Sequence, residues 1–541
     1  MKKIILNLLL LIAAITTMVG QKQRYLNQVF DSVNTIYSVY GQNATVITAA
    51  ITGHATKVPL AVTIYTPKND TVRKRPLVIY LHTGNFLPFP INQSTGGRTT
   101  IPATSPLAAA GATLAQIGMG YPVDSPLVEI CTRLAKMGYV TAAIDYRCGW
   151  NPIASTQTER VNTLINAAYR GVQDLRNAIR YFKASVIAQG NPFGIDTSKI
   201  VAWGQGTGGY ISMAAATMDS YLDIVQKSSN KFIGDNGLPY VIESVHGNIY
   251  GTSVGVVPAG APSLAGDTLC YPNIPGISSD FQLCVNMGGA LADTQWIDNT
   301  DLPMIGFQEP RDPFAPYKEG IVNVPQGSNA PLSVVKVQGT YLAIKKADSL
   351  GLQKKMRDLK LADVITQAAN KKNDGIEGLY PVNGTNPFDS DPWNWWDTTI
   401  MSAIQKQFGY GNNTNGLATQ PDMSAAKSRR YIDTIIAYYA PRAFAVLGLG
   451  TFVATPDLLQ ASQVGLRMSP NPMTSQTSFT TKIDNPIKGL VIYDVNGNVV
   501  RQINKINSSE YTLYRGDLSN GVYYVQFGFD NGVITKPLIV Q

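Results

Sequence analysis

The chain has 541 residues, 44% apolar and 15% charged, which excludes a disordered or collagen-like polymer and leaves material for roughly two to four domains of ~100–200 residues. Lys plus Arg exceed Asp plus Glu by 44 − 36 = 8, a mild excess whose longest basic run is Arg73-Lys74-Arg75, so the electrostatic footprint of a nucleic-acid binder is missing. Three histidines would nearly all have to meet in one place to build a multi-His metal centre, and no Cys or His spacing suits zinc; neither metal nor cofactor is expected.

The N-terminus has the order of a secretory signal over 1–20. Lys2-Lys3 gives the positive start, Ile4 to Val19 is apolar but for Asn7, Thr16 and Thr17, and Gly20 suits cleavage before Gln21. The apolar run falls short of the roughly 20 clean residues a membrane span needs, and no other stretch qualifies. No transmembrane segment is expected after its removal.

From about 25 to 450, strand and helix patterns alternate, the signature of α/β architecture around a mostly parallel sheet. Pro76 to Leu81, Tyr139 to Ile144 and Ile200 to Trp203 are short apolar runs of the kind buried on both faces. Leu127 to Lys136 and Ala167 to Lys183 have helical spacing. Four cysteines in an exported chain (Cys131, Cys148, Cys270, Cys284) allow two disulfides, with Cys270 and Cys284 a plausible pair; buried free thiols fit as well.

Trp203 runs into Gly204-Gln205-Gly206-Thr207-Gly208-Gly209 and then a small-residue helix, Tyr210 to Met218. A strand, a glycine-rich turn and a helix can cradle a phosphate, but no Walker lysine follows and the dinucleotide spacing is not met. A nucleophile elbow with its central residue replaced, or a plain structural turn, remains.

The neighbouring motifs choose. His82-Thr83-Gly84-Asn85-Phe86 is similar to the H-G-G-x-F oxyanion loop of carboxylesterases and lipases, and Asp145-Tyr146-Arg147 to the D-Y-R segment after their next strand. Gly171 to Arg176 and Phe193-Gly194-Ile195-Asp196 resemble the lead-in to the elbow, and Pro303 to Pro313 the strand that ends in H-G-x-x-D. Five motifs in order over some 230 residues resemble the carboxylesterase branch of the α/β-hydrolase superfamily. The resemblance implies that fold, Gly206 at the nucleophile position, Asp312 at the triad acid, and His82, Thr83, Gly84, Asn85 and Thr207 around the oxyanion site.

The catalytic residues depart from that pattern. Glycine has no hydroxyl to acylate, and in this fold the histidine follows the acid in chain order, whereas His54, His82 and His246 all precede Asp312. Thr207 sits one place past the elbow, with its side chain expected away from the cleft. His246 could act as a replacement base only by an unusual loop path. Asp145, Glu309 and Asp312 near strand ends could serve as paired carboxylates or as ordinary loop charges. Trp393, Trp395 and Trp396 would make a ligand platform if exposed and would cap the 351–430 insertion if buried.

From Met468 the texture becomes short alternating runs with turn signals, including Asn496-Gly497 and Asp530-Asn531-Gly532, as in a small all-β immunoglobulin-like sandwich. Ser469-Pro470-Asn471-Pro472, Tyr493 to Gly497, Leu518 to Tyr523 and the ending Thr535 to Val540 resemble the C-terminal sorting domain of type IX secretion cargo. That resemblance implies Sec export, passage across the outer membrane and engagement of the type IX machinery through 468–541. The expected layout is a signal peptide (1–20), an α/β-hydrolase-like domain (21–455), a linker (456–467) and the sorting domain (468–541). The expected protein is a secreted or surface-attached, catalytically degenerate esterase relative that binds a small ester, sugar or aromatic ligand. An active ester hydrolase with a non-standard nucleophile and a structural scaffold are the alternatives.

Overall fold

The computed structural model describes residues 23–97, 105, 124–227, 231–326, 329–450, 461–495, 499–530 and 532–541. The proposed signal peptide, the Asn496-Gly497 turn, Asn531 and the proposed boundary at 455–456 lie outside these residues. Two compact units are present: one holds the described residues up to Lys360 with those from Ala369 to Gly450, the other Leu361–Ala368 with those from Ala461 onward.

The first unit is built on an eight-stranded sheet. Its strands are β1 (Val33–Thr45), β2 (Thr56–Pro67), β3 (Arg75–Leu81), β4 (Val140–Ile144), β5 (Ile195–Gln205), β6 (Leu283–Met287), β7 (Met304–Gln308) and β8 (Leu379–Pro381). The order across the sheet is β1-β2-β4-β3-β5-β6-β7-β8. β2 runs antiparallel to β1 and β4, and every later pair is parallel. That order, with a sharp strand–turn–helix after β5, is the α/β-hydrolase topology.

Why these runs form central strands follows from their burial. Every residue of β3, β4, β6 and β7 is buried, as expected of strands covered by helices on both faces. Helices α1 (Ser125–Lys136), α2 (Gln157–Ala188), α3 (Thr207–Thr217) and α4 (Ala425–Val446) supply much of the cover. Leu77, Ile79, Leu81, Ile144, Val172, Leu175, Ile179 and Ile211 share one apolar core. The helix read over 167–183 extends in both directions to Gln157–Ala188, and Thr156 caps its start by accepting from the Glu159 N–H at 3.2 Å.

One face of α2 is polar and buried. Arg147 of the D-Y-R segment forms an ion pair with Asp174 at 2.9 Å, both side chains 0% exposed. The 240–273 segment lies against this face through its carbonyls. The Asn166 amide donates to Tyr240 O, Tyr169 Oη to Gly247 O, Gln173 Nε2 to His246 O and Asn248 O, and Arg180 Nε to Asn273 O. All four cysteines are buried free thiols. Cys284 sits in a central strand and Cys270 beside Gly247, so the suggested pair does not form.

The second unit is a β-sandwich. Strands β9 (Arg467–Ser469), β10 (Gln476–Thr480) and β13 (Glu510–Tyr514) form one sheet. Strands β12 (Val499–Ser508), β11 (Ile487–Tyr493), β14 (Gly521–Phe529) and β15 (Gly532–Val540) form the other. Alternate residues such as Phe479, Leu490, Ile492, Val525, Phe527 and Leu538 point into the shared core, with the Phe479 and Phe527 rings edge to face at 4.7 Å.

Candidate functional site

The turn after β5 keeps the geometry of a nucleophile elbow. Gly206 has φ 54° and ψ −117°, its N–H donates to Met287 O at 2.8 Å, and α3 starts at the next residue. A left-handed φ of this kind costs an L side chain on the order of 1–3 kcal/mol, and glycine avoids that cost. Gly208 lets the helix start press against β3: a Cβ there would stand 2.7 Å from the Leu81 carbonyl carbon.

The space above Gly206 is taken. A Cβ placed on it would stand 2.8 Å from Thr83 Cβ and closer still to Thr83 Oγ1. Real Cβ atoms essentially never approach within 3.0 Å. Thr83 stands where the resembling oxyanion motif has its first glycine, and it lies beside the elbow glycine, Gly206.

The oxyanion segment is held from below. His82 is buried; its Nδ1 donates to Thr83 O at 2.5 Å, its Nε2 to Asp145 Oδ1 at 3.3 Å, and its ring stacks on Tyr146 at 4.5 Å. Burial works against a charged ring here, but the Asp145 carboxylate outweighs it and raises the imidazole pKa. Both ring nitrogens are committed. Tyr146 Oη donates to His82 O and accepts from Thr207 Oγ1, each at 2.9 Å, so the Thr207 proton goes to a phenol and not to a base. Asn85 donates through its amide to Asn92 O, and Gly84 O accepts from the Leu87 N–H, which closes the loop.

The acid side is also occupied. Glu309, directly after β7, is 0% exposed; its Oε1 accepts from Arg311 N and Nε at 3.1 and 3.0 Å, and its Oε2 accepts from the Gly384 N–H. Gly384 lies in Val382-Asn383-Gly384-Thr385, the loop after β8, which carries no histidine. Asp312 is half-buried, accepts from Phe314 N at 2.8 Å and Ala315 N at 3.2 Å, and is pushed up to about 8 by burial. Two further carboxyls belong to this end of the sheet and were missed in the sequence. Asp124, at the start of α1, is 3% exposed and raised to about 6 by burial, without a cap hydrogen bond. Asp391 is raised to about 6 by burial and bonded to the Asn394 amide at 2.8 Å. The position of Asp124 before Ser125-Pro126 reads locally as a helix cap, which conceals its burial.

The remaining histidines stand elsewhere. His246 Nδ1 accepts from Ile242 N at 2.9 Å within its own turn, and burial lowers it to about 4. His54 bonds Asp267 at the surface, at 3.0 Å. Among the described residues, none of the three histidines hydrogen-bonds to Gly206, Thr207, Glu309 or Asp312. Among the same residues, no group of three or more His, Cys, Asp or Glu side chains is arranged to hold a metal ion. Trp393 and Trp396 are buried and Trp395 lies half-buried under Arg429 at 5.2 Å, so the tryptophans pack the insertion.

The sandwich decides the destination of the chain. Residues 467–541 match the family model of a secretion system C-terminal sorting domain. This is a secreted or cell-surface protein. Among solved structures, the chain is similar to Thermogutta terrifontis esterase 2 phosphorylated by paraoxon, at 17% identity and TM-score 0.26, over 53% of this chain and 74% of that one. The propionate-bound esterase from the same planctomycete aligns at 17% identity and TM-score 0.24, over 52% and 74%. The strand order, and not these superpositions, establishes the fold. Comparison with curated proteins gives no match. No helix among the described residues is long and apolar enough to cross a membrane.

Proposed function

We propose that the hydrolase-fold unit is a binding module without serine-esterase chemistry, carried outside the cell by its sorting tail. The observation that supports this most is the interlock of Thr83 with Gly206. An esterase needs a hydroxyl at the elbow with free space around it, and here the residue lacks the side chain while its neighbour fills the room. Three further points favour the same reading. The Glu309 carboxylate is consumed by Arg311 and Gly384, the loop after β8 has no histidine, and the Thr207 hydroxyl is tied to Tyr146. The cleft end of the sheet retains Asp124, Asp312 and Asp391 in protonation states that burial has shifted, which suits recognition of a small hydrogen-bonding ligand such as a sugar or ester.

The test is hydrolysis of short-chain p-nitrophenyl esters by the purified mature protein. Rates at the level of uncatalysed buffer are expected, unchanged in Asp312→Asn. Robust turnover that disappears on changing Asp312 or His246 would overturn the proposal in favour of a non-standard hydrolase. A thermal-shift panel of sugars and aromatic esters separates binding from a scaffold role, which would give no shift with any of them.

A further inference from the structure

The buried face of α2 carries more positive charge than negative. Arg170, Arg176 and Arg180 are 6%, 5% and 1% exposed, beside the buried Arg147. The carboxylate buried with them, Asp174, is spent on Arg147. The other three guanidinium groups bond to carbonyls instead. Arg170 Nη2 donates to Gly149 O, Arg176 Nη2 to Ala215 O and Met218 O, and Arg180 Nε to Asn273 O. The acids whose charges reach Arg176, Asp219 and Asp280, are exposed to solvent. Outside the described residues the chain has one acidic side chain, Asp457. Burying a cation without a counter-charge is costly, and burial lowers Arg170 and Arg180 to about 10.

Donors are left over as well. Among the described residues, Arg170 Nε, Arg176 Nε, Arg180 Nη2 and both ends of the Asn177 amide have no hydrogen-bond partner. Three of these four side chains belong to one diamond on the helix surface. Gln173, Arg176, Asn177 and Arg180 stand at i, i+3, i+4 and i+7, so neighbours are about 5–6 Å apart at Cβ. Gln173 is fully engaged: its amide donates to His246 O and Asn248 O, and its Oε1 accepts from Arg147 Nη2. Two glycines bring backbone down onto the diamond. A Cβ on Gly251 would stand 3.2 Å from Gln173 Cβ and 3.7 Å from Arg180 Nη2. One on Gly41, in β1, would overlap the Asn177 amide and stand 3.0 Å from Asn273 Oδ1. Gly41 does not take a left-handed φ, so close approach is what requires the glycine there.

We infer that the diamond of Gln173, Arg176, Asn177 and Arg180 is a site for a small monovalent anion such as chloride, held by N–H groups of Arg176, Asn177 and Arg180. Chloride supplies the negative charge this face lacks and accepts from several donors at once. A water accepts from two donors at most and leaves the charge uncompensated. The bound anion ties α2 to the 240–273 segment, because Arg180 also holds Asn273 O.

The test is melting of the purified mature protein in sodium chloride and in sodium gluconate, each at about 0.15 M so that screening is matched. Gluconate is too bulky to reach a buried helix face. The melting temperature should be about 2–4 °C higher in chloride, the rise given by a ligand at roughly ten times its Kd, and the chloride NMR line should broaden. Arg180→Met should lose both effects. Asn177→Asp sets a carboxylate in the diamond, so it should melt in gluconate at least as high as the parent does in chloride, with no difference between the salts. Equal melting of the parent in both salts without line broadening, the outcome for an ordinary buried water, overturns the inference. So does broadening that persists in both variants, or an Asn177→Asp protein that melts below the parent in gluconate.

Discussion

Replacing Gly206 by serine does not rebuild an esterase, and the reason can be weighed. The new Cβ meets two separate penalties. Its backbone, at φ 54° and ψ −117°, costs an L residue about 1–3 kcal/mol. It also enters the space of Thr83, whose Cβ would be 2.8 Å away, and overpacking of that kind costs about 1–3 kcal/mol. Gly206→Ser is therefore expected to lose roughly 2–6 kcal/mol. Thr83→Gly empties the contested space and relieves only the second penalty. In a double-mutant cycle, Gly206→Ser should cost about 1–3 kcal/mol less in the Thr83→Gly background than alone. The assay is calorimetric melting of the hydrolase-fold unit, with the difference appearing as a shift of a few degrees. Ester hydrolysis should stay absent in both variants, since no histidine follows β8. Equal costs in the two backgrounds would refute the interlock, and turnover in the double variant would refute the claim that the base is missing.

Three other outcomes follow from the buried groups. Asp124 holds a proton up to about pH 6 when folded but releases it near pH 4 when unfolded, so its contribution favours the folded state below pH 4 and is lost by about pH 6. Asp124→Asn should accordingly be more stable than the parent by about 2–3 kcal/mol at pH 8, with the gap closing below pH 4; melting at pH 4, 6 and 8 reads this, and a gap independent of pH would contradict it. Asp174→Ala strands Arg147 in the core and should cost about 3–5 kcal/mol, read as a large drop in melting temperature or loss of soluble protein. The four cysteines should be silent to a thiol reagent in the native protein and all react in urea, because burial raises Cys131 and Cys284 to about 12 and none is bridged.

The parts of this molecule legible in its sequence are those set by local pattern. β3, β4 and β5 announce themselves as apolar runs because helices bury them on both faces, and the elbow follows because only small residues fit between β5 and α3. The missing histidine is legible too, since it depends on chain order alone. The Thr83–Gly206 contact is not, because it joins residues more than a hundred positions apart through space. The commitment of Glu309 to Gly384 is hidden for the same reason. Asp124 and Asp391 look like ordinary polar loop residues, and only the layers packed over them turn them into buried acids. The suggested Cys270–Cys284 pair failed because fourteen positions of separation along the chain say nothing about a central strand lying between sheet neighbours.

The polar face of α2 has a consequence for how freely the 240–273 segment can move. Apolar surfaces slide over one another at little cost, but directional bonds hold one register. Here side chains of Asn166, Tyr169, Gln173 and Arg180 each grip a carbonyl of the segment, and one of those carbonyls belongs to His246 itself. To swing that imidazole toward the elbow, the chain would have to break the bond from Gln173 to the His246 carbonyl and pull against the neighbouring grips on Tyr240, Gly247 and Asn248. The residue that composition left as the last spare base is thus moored by its own backbone.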